Sequence, residues 1–412
     1  MKWPSVKISK VCRRGATRDP RRTPESPFKY IDISSVDREQ KCIVSTPEII
    51  GSEAPSRARK EVKAGDILVS TVRPNLNAVA IVPPKLDNQI ASTGFCVLRP
   101  TSLIDKTYLF YFTISNPFID VLTARVRGAH YPAVSDSDVN NVKIPLPPIS
   151  EQRRIVEILD QADRLRKLRA EADKKAERIL PALFIKMFGD PATNPMGWDT
   201  NDTFGDVGTL DRGKSRHRPR NAPELLGGDH PLIQTGDVAN SGGRIRNHTQ
   251  TYSDIGLAQS KMWPKGTLCI TIAANIAKTG VLEFDACFPD SVVGFHPGPD
   301  VTTEYVQSWL YFLQPVLENN APQAAQKNIN LQVLRSLPLP KPPLPLQEKF
   351  SSMVVEYYKQ IDNQLHQGER LETLFNSILH RAFTGDLTAS WRHAHMEELV
   401  QEMELQAKAL AA

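Results

Sequence analysis

The chain of 412 residues is poor in cysteine, in net charge and in long apolar runs, and each shortage removes a class of explanation. Its five cysteines (Cys12, Cys42, Cys96, Cys269, Cys287) include no CxxC pair, and the closest two lie 18 residues apart. That spacing argues against a zinc knuckle and leaves a disulfide framework without a pattern, so a reducing compartment fits best. No apolar run approaches the roughly 18 residues that a membrane span requires, and the start is not signal-like. The expectation is a soluble, cytoplasmic protein with no membrane partner. A formal net charge of +5 is too small to imply nucleic acid by itself, so the distribution of charge must decide. With 40% apolar residues, the length suffices for two or three ordinary cores.

Catalytic signatures are missing as well. There is no GxxxxGK[ST] phosphate loop, no FxGxG cofactor loop and no Asn-Pro-Pro-aromatic motif. The pairs Gly227-Gly228 and Gly242-Gly243 stand alone as turn signals, and His130 and His217 have no nucleophile or carboxylate at a triad spacing. His393 and His395 fall in a terminal tail, where no ligand pattern supports a metal. Neither catalytic residues nor metal ligands are therefore expected, and chemistry on a base would need a pocket supplied by another chain.

What the chain does contain is itself, twice. Residues 129–188 lie on 324–383 without a gap, at a constant spacing of 195. Each copy has a proline-rich exit, PLPPISEQRRI from Pro145 and PKPPLPLQEKF from Pro340, then a helical pattern closing on Phe188–Asp190 or Phe383–Asp386. Trp3 and Trp198 keep the same spacing, whereas Gly65 and Gly266, in KAGDILVSTV (Lys63–Val72) and PKGTLCITIA (Pro264–Ala273), lie 201 apart. The segment YIDIS (Tyr30–Ser34) resembles TGDVA (Thr235–Ala239), which predicts that both open strands. Short β-rich runs (Ile67–Val72, Ala78–Val82, Leu268–Ile272) alternate with helical stretches (Thr107–Leu122, Thr303–Leu317), so each module reads as α+β.

Residues 153–188 and 348–383 predict two helices of equal length, each about 54 Å long at 1.5 Å per residue. Heptad spacing gives the first an inward stripe of Ile155, Ile158, Ala162, Leu165, Ile179 and Leu183, and the second one of Val354, Ile361, Leu365, Phe375 and Leu379. Pro181 predicts a kink in the first, and Gln364 and Gly368 weaken the middle of the second. Two equal amphipathic rods find their economical partner in each other, as an antiparallel coiled-coil-like pair; the alternative is ordinary bundle helices within two fused domains.

Charge points to the ligand. A cationic segment follows the start of each module: Arg13, Arg14, Arg18, Arg21 and Arg22, then Arg212, Lys214, Arg216, Arg218 and Arg220. Recurrence at equivalent places suits contacts to phosphate, although a solvated surface loop explains either cluster alone. Residues able to match base edges concentrate where the copies diverge: Arg73, Asn75, Asn77, Arg127, His130 and Tyr131 in the first, and Asn275, Lys278, Gln326, Lys327, Asn328 and Asn330 in the second. At the ungapped spacing the apolar frame is held, Val134 on Ile329 and Val139 on Leu334. The polar content changes: Tyr131 meets Gln326, Pro132 meets Lys327 and Ala133 meets Asn328. Two readers of different sequences would show this, as would surface residues that drift freely.

The order of module, PLPPxxEQ-type helix ending in MFGD, second module and second helix ending in AFTGDL resembles the DNA-specificity subunit of a type I restriction-modification enzyme. ASTGFCVLRP (Ala91–Pro100), ACFPDSVVGF (Ala286–Phe295) and AAQKNINLQVL (Ala324–Leu334) are similar to phrases of the target-recognition domains of that family. The resemblance implies two α/β target-recognition domains (1–144 and 191–339), two spacer helices (145–190 and 340–386) and a helical tail (387–412). It also implies that each domain reads one half of a split site on double-stranded DNA, while two methyltransferase subunits dock on the helices and bring S-adenosylmethionine for adenine N6 methylation. Motor-nuclease subunits would bring ATP and magnesium, and this chain would bind no cofactor. The chain departs from the pattern at Leu346–Gln347, where the first copy has Glu151–Gln152, and at Asn77 and Lys278, where a Gly-Lys pair is common. A coiled-coil assembly scaffold and a stand-alone DNA-modifying enzyme are the alternative readings.

Overall fold

The computed structural model describes residues 3–128, 131–273, 275–320 and 328–411. The candidates His130, Gln326 and Lys327 lie outside the described residues. Packing divides the chain into two units, one of residues 1–171 with 366–412 and one of residues 172–365.

In the first unit the strand Ile67–Ser70, buried at every residue, lies between Phe95–Pro100 and Val79–Ile81, with Cys12–Arg14 on the far edge. The ladder is antiparallel and sets Ile67 against both Leu98 and Ile81. A second sheet runs Glu48–Ile50, Pro27–Ile31, Ile90–Ser92, Ala58–Glu61, its middle pair parallel. The second unit repeats the plan: Gly208–Arg212, Val292–Pro297, Leu268–Thr271, Thr279–Leu282 and Arg244–Ile245 form one sheet, and Gln250–Tyr252, Leu226–Leu232, Ala286–Cys287 and Met262–Trp263 the other. Leu268–Thr271 is the buried central strand, as Ile67–Ser70 is in the first.

Two sequence expectations change here. The stretch 107–122 is two helices, Lys106–Thr113 and Asn116–Thr123, with Pro117 in the first turn of the second, where its missing N–H is not needed. The YIDIS and TGDVA segments do not both open strands. Ile33–Ser35 is a 3-10 turn and Thr235–Ala239 a short α-helix, each begun by a capping box, Asp32 with Ser35 and Gln234 with Asp237.

The first spacer helix spans Ile149–Ala176, breaks at residues 177–178 and resumes as Ile179–Phe188. Pro181 accounts for the break: it cannot donate to the Glu177 carbonyl and its ring crowds that turn. The second spacer helix, Leu344–Thr384, is unbroken over 41 residues, so Gln364 and Gly368 do not interrupt it. The helices run antiparallel within each unit. In the first, Ile155 and Leu159 share a core with Leu379 and Phe383, while farther along Arg166 meets Glu372 at 2.7 Å and lies 4.1 Å from the Phe375 ring centroid. In the second, the Tyr357 hydroxyl donates to the Ala176 carbonyl at 3.3 Å, and Phe184 and Phe188 pack on Phe350.

Most of the predicted stripe, eight of its eleven residues, faces inward. Ile155, Ala162, Leu183, Val354, Ile361, Phe375 and Leu379 are buried or half-buried, as is Ile158. Leu165, Ile179 and Leu365 are more than half exposed, and the inward line passes instead through Leu159, Arg166, Asp173, Leu180 and Gln364. A straight helix drifts about 20° per heptad, and heptad counting by apolarity steps over the polar residues on that line. Arg166 satisfies its charge there with Asp163 and Glu372.

The tail forms two helices, Ala389–Ala394 and Met396–Ala411. Glu151, with no exposed surface, accepts from Arg392 Nε at 2.7 Å, Thr388 Oγ1 at 2.7 Å and Trp3 Nε1 at 2.9 Å. Gln406 Nε2 donates to the Leu103 and Pro147 carbonyls, the acceptors that Gln152 Nε2 also uses. This explains the departure at Leu346. In the second unit Gln347 repeats the role of Gln152, toward Asp300 and Pro342, and no tail arginine needs a carboxylate. Among the described residues, no helix is long and apolar enough to cross a membrane.

Candidate nucleic-acid interface

The two divergent loops of each module meet. In the first unit Val134 N–H donates to Thr71 O at 2.9 Å and Arg73 N–H to Pro132 O at 2.8 Å, while Arg127 and Ala133 exchange a pair of backbone bonds. In the second, Ile329 N–H donates to Ile272 O at 2.9 Å and Ala273 bridges Asn328. The bond Val134–Thr71 is thus repeated as Ile329–Ile272, with different side chains hung on the same backbone frame.

The first loop is held in an unusual conformation. Arg73 (φ 47°) and Asn77 (φ 45°) flank the 3-10 turn Pro74–Leu76, both left-handed. Ala277 (φ 54°) occupies the corresponding place in the second unit. Such a conformation costs a non-glycine residue about 1–3 kcal/mol and persists only where its surroundings enforce it. Here Asn77 Nδ2 donates to Thr113 O at 2.9 Å, tying the loop to a helix end, and Lys41 Nζ donates to Asn77 O and Oδ1 at 2.6 and 2.8 Å.

These contacts correct part of the candidate set. Asn77 is buried and its amide is spent, so it shapes the loop and reads no base. Asn330 caps the helix Leu331–Arg335 by accepting from Gln332 N–H, as Ser135 caps Asp136–Asn140 one repeat earlier. Lys278 is exposed but lines a cavity of about 370 Å³ with Tyr357 and Tyr358 of the second spacer helix. Arg73, Asn75, Arg127, Tyr131, Asn275 and Asn328 remain exposed on or beside the joined loops, Tyr131 with 81% of its surface free. Arg127 lies 3.7 Å from Asp138.

The cationic segments are likewise not free loops throughout. Arg13 and Arg14 project from the edge strand Cys12–Arg14, and Arg212 ends the strand Gly208–Arg212. Arg21 pairs with Asp19 at 3.2 Å, and its hydrogen bond holds that carboxyl below the ordinary aspartate range. Arg18 donates to Asn88 O, and Arg218 and Arg220 both lie against Asp290. Among the described residues Arg13, Arg14, Arg22, Arg212, Lys214 and Arg216 have no ion pair, which leaves them available to phosphate. Sequence reasoning missed Arg38 and Arg57, which with Arg73 and Tyr131 line a cleft of about 420 Å³.

Comparison with known proteins agrees with this plan. Residues 2–178 and 195–373 each match the type I restriction modification DNA specificity domain. The chain belongs to that family. It is a DNA-binding specificity subunit of the type I restriction-modification class, with its recognition domain in two copies. It is 23% identical over 331 residues to the EcoKI specificity subunit of Escherichia coli, covering 73% of this chain and 69% of that one. It is 30% identical over 141 residues to the HindI specificity subunit of Haemophilus influenzae, a match that spans 34% of this chain and 31% of its relative. Among solved structures it resembles a chain described under complex assembly and conformational transition of the type I R-M system, with TM-score 0.65, 31% identity and coverage of 94% and 98%. The fold is shared with the S subunit from M. genitalium at 15% identity and TM-score 0.53, covering 92% of this chain and 96% of that one.

Burial pushes the Lys41 ammonium down to about 8, and repulsion from Arg166 adds to it. The unfolded chain therefore keeps this proton to higher pH than the folded one, and stability gains from Lys41 as pH rises from about 8 towards 10.5. Urea unfolding of wild type and Lys41→Met across that range should show the wild type improving relative to the variant; a flat or falling difference would contradict this account.

Proposed function

We propose that each unit reads one half of a split duplex site, that the spacer helices set the gap, and that this chain is itself non-catalytic. Two methyltransferase subunits bound to it would supply S-adenosylmethionine and methylate an adenine in each half. Motor-nuclease subunits, in a system that cleaves, would supply ATP and magnesium. The observation that carries the reading is the loop pairing found twice, Thr71 with Val134 and Ile272 with Ile329, beneath side chains that differ. A shared scaffold under unlike polar residues is what sequence reading in a groove asks for. Arg13, Arg14, Arg22, Arg212, Lys214 and Arg216 would seat the chain on phosphates, making its binding salt-sensitive.

Methylome sequencing of the host with and without this gene tests the proposal: one split adenine motif should disappear on deletion, and no lost motif would sink it. The ruler has its own test. Four residues inserted in each spacer helix add about 6 Å, close to two base pairs. The gap in the recognised motif should widen by one or two base pairs with both half-sequences retained. An unchanged gap would sink the ruler.

A further inference from the structure

Beside the joined loops of the first unit lies a cleft of about 420 Å³ that brings together three arginines from distant parts of the chain. Arg38 lies in the turn of the hairpin formed by Val36–Asp37 and Cys42–Ile43, Arg57 precedes the strand Ala58–Glu61, and Arg73 begins the turn Pro74–Leu76. Among the described residues none of these guanidinium groups has a hydrogen-bond or ion-pair partner, whereas Arg18, Arg59 and Arg99 of the same unit are all paired. The rest of the lining is apolar and includes Val72 and Ala133, the residues that bridge the two loops, with the exposed Tyr131 ring alongside.

We infer that this cleft reads a guanine in the half-site of the first unit, with Arg73 as the base-reading residue and Arg38 and Arg57 on the flanking phosphates. The inference rests on the DNA-reading function proposed above. Guanine alone offers two acceptors, O6 and N7, on its major-groove edge, and they match the planar donor fork of arginine. Adenine asks instead for a donor and an acceptor from one amide. In this loop the Asn77 amide is already committed to Thr113, and Asn75 does not line the cleft.

Arg73 is also the arginine whose backbone is best fixed. Its N–H is bonded to Pro132 O, its carbonyl accepts from Leu76 N–H, and its left-handed conformation aims the side chain from the junction of the two loops. A reader held this way gives up little freedom on binding. The second unit differs where it matters: its loop carries Asn275 and Asn328 at the junction, and Ala274 takes the place of Arg73 in the sequence. Among the described residues, no arginine stands at the second unit's junction to read guanine in this way.

The test is selection of bound duplexes from a randomised pool by the full chain assembled with its modification subunits, as wild type and as Arg73→Ala, Arg38→Ala and Arg57→Ala. Arg73→Ala should erase preference for guanine at one position of one half-site, lowering affinity for that base by roughly 5- to 150-fold. The other half-site should be unaltered, which reports an intact fold within the same experiment. Arg38→Ala and Arg57→Ala should weaken all sequences alike and reduce the salt slope by about one. If Arg73→Ala weakened every sequence equally, or if its half-site held no guanine, the inference would fail while DNA reading stood. If the wild-type assembly selected no discrete sequence, the DNA-reading proposal would fall and this inference with it.

Discussion

Replacing Arg392 by alanine is expected to destabilise the first unit by about 3–5 kcal/mol, the range for removing one partner of a buried ion pair. Glu151 has no exposed surface, and Arg392 is the only cation paired with it among the described residues, stacked over the Trp3 ring 4.6 Å away. Without it the carboxylate keeps donors from Thr388 and Trp3 but remains a buried charge. The tail would lose its anchor together with the Glu402 and Gln406 contacts that follow it. Glu151→Leu should be milder, because it removes the charge instead of stranding it. It should be milder still in a chain ending at Asp386, where it recreates the arrangement of Leu346 in the tail-free second unit. There the Trp198 indole donates to Phe188 O, an acceptor that Trp3 could find again at Phe383. Urea unfolding and limited proteolysis of residues 387–412 measure both effects. An Arg392→Ala protein within 1 kcal/mol of wild type, its tail still protected, would refute the clamp.

The duplicated frame was legible because equivalent packing demands apolar or aromatic residues at equivalent places: Val134 and Ile329, or Tyr108 and Tyr305, serve corresponding cores of the two units at almost one spacing. The helix break was legible for a similarly local reason, since Pro181 acts on the turn immediately before it. Burial along the spacer helices was less so. Leu165 and Leu365 look like core to any count of apolar positions, yet Arg166 and Gln364 take the inward line, and for Arg166 the ion pairs with Asp163 and Glu372 let a charged side chain fill the helix seam. In the candidate site, residue type marked Asn77 and Asn330 as readers, but asparagine is equally suited to left-handed turns and helix caps, and the backbone around each had already claimed it. Arg38 and Arg57 were invisible for the opposite reason. They reach the cleft only through the folding of two separate loops, which no spacing along the chain encodes.

Exchanging residues 191–339 for the corresponding module of a relative should replace one half-site completely and leave the other untouched, provided the graft preserves an aromatic seam. Phe184, Phe188 and Phe350 stay with the host helices. Phe184 stacks on Tyr305 at 5.6 Å and meets Phe312 at 5.2 Å, and Phe188 meets Tyr305 edge-on at 4.9 Å. The Tyr305 hydroxyl also donates to the Pro340 carbonyl, as Tyr108 donates to Pro145 O in the first unit, where Tyr108 and Phe112 pack on Phe383. The two seams are one design, so an incoming module with aromatic residues at the places of Tyr305 and Phe312 should seat without repacking. One that lacks them leaves a cavity against Phe184, and a comparable loss, Phe350→Ala, is expected to cost about 3–5 kcal/mol. Chimeras of both kinds, scored by thermal unfolding and by the motif methylated in the host, separate seating from reading. Matched grafts should be stable and change the second half-sequence alone; unmatched grafts should unfold early and methylate poorly. A matched graft that altered both halves, or that kept the original second half, would show that the units do not read independently.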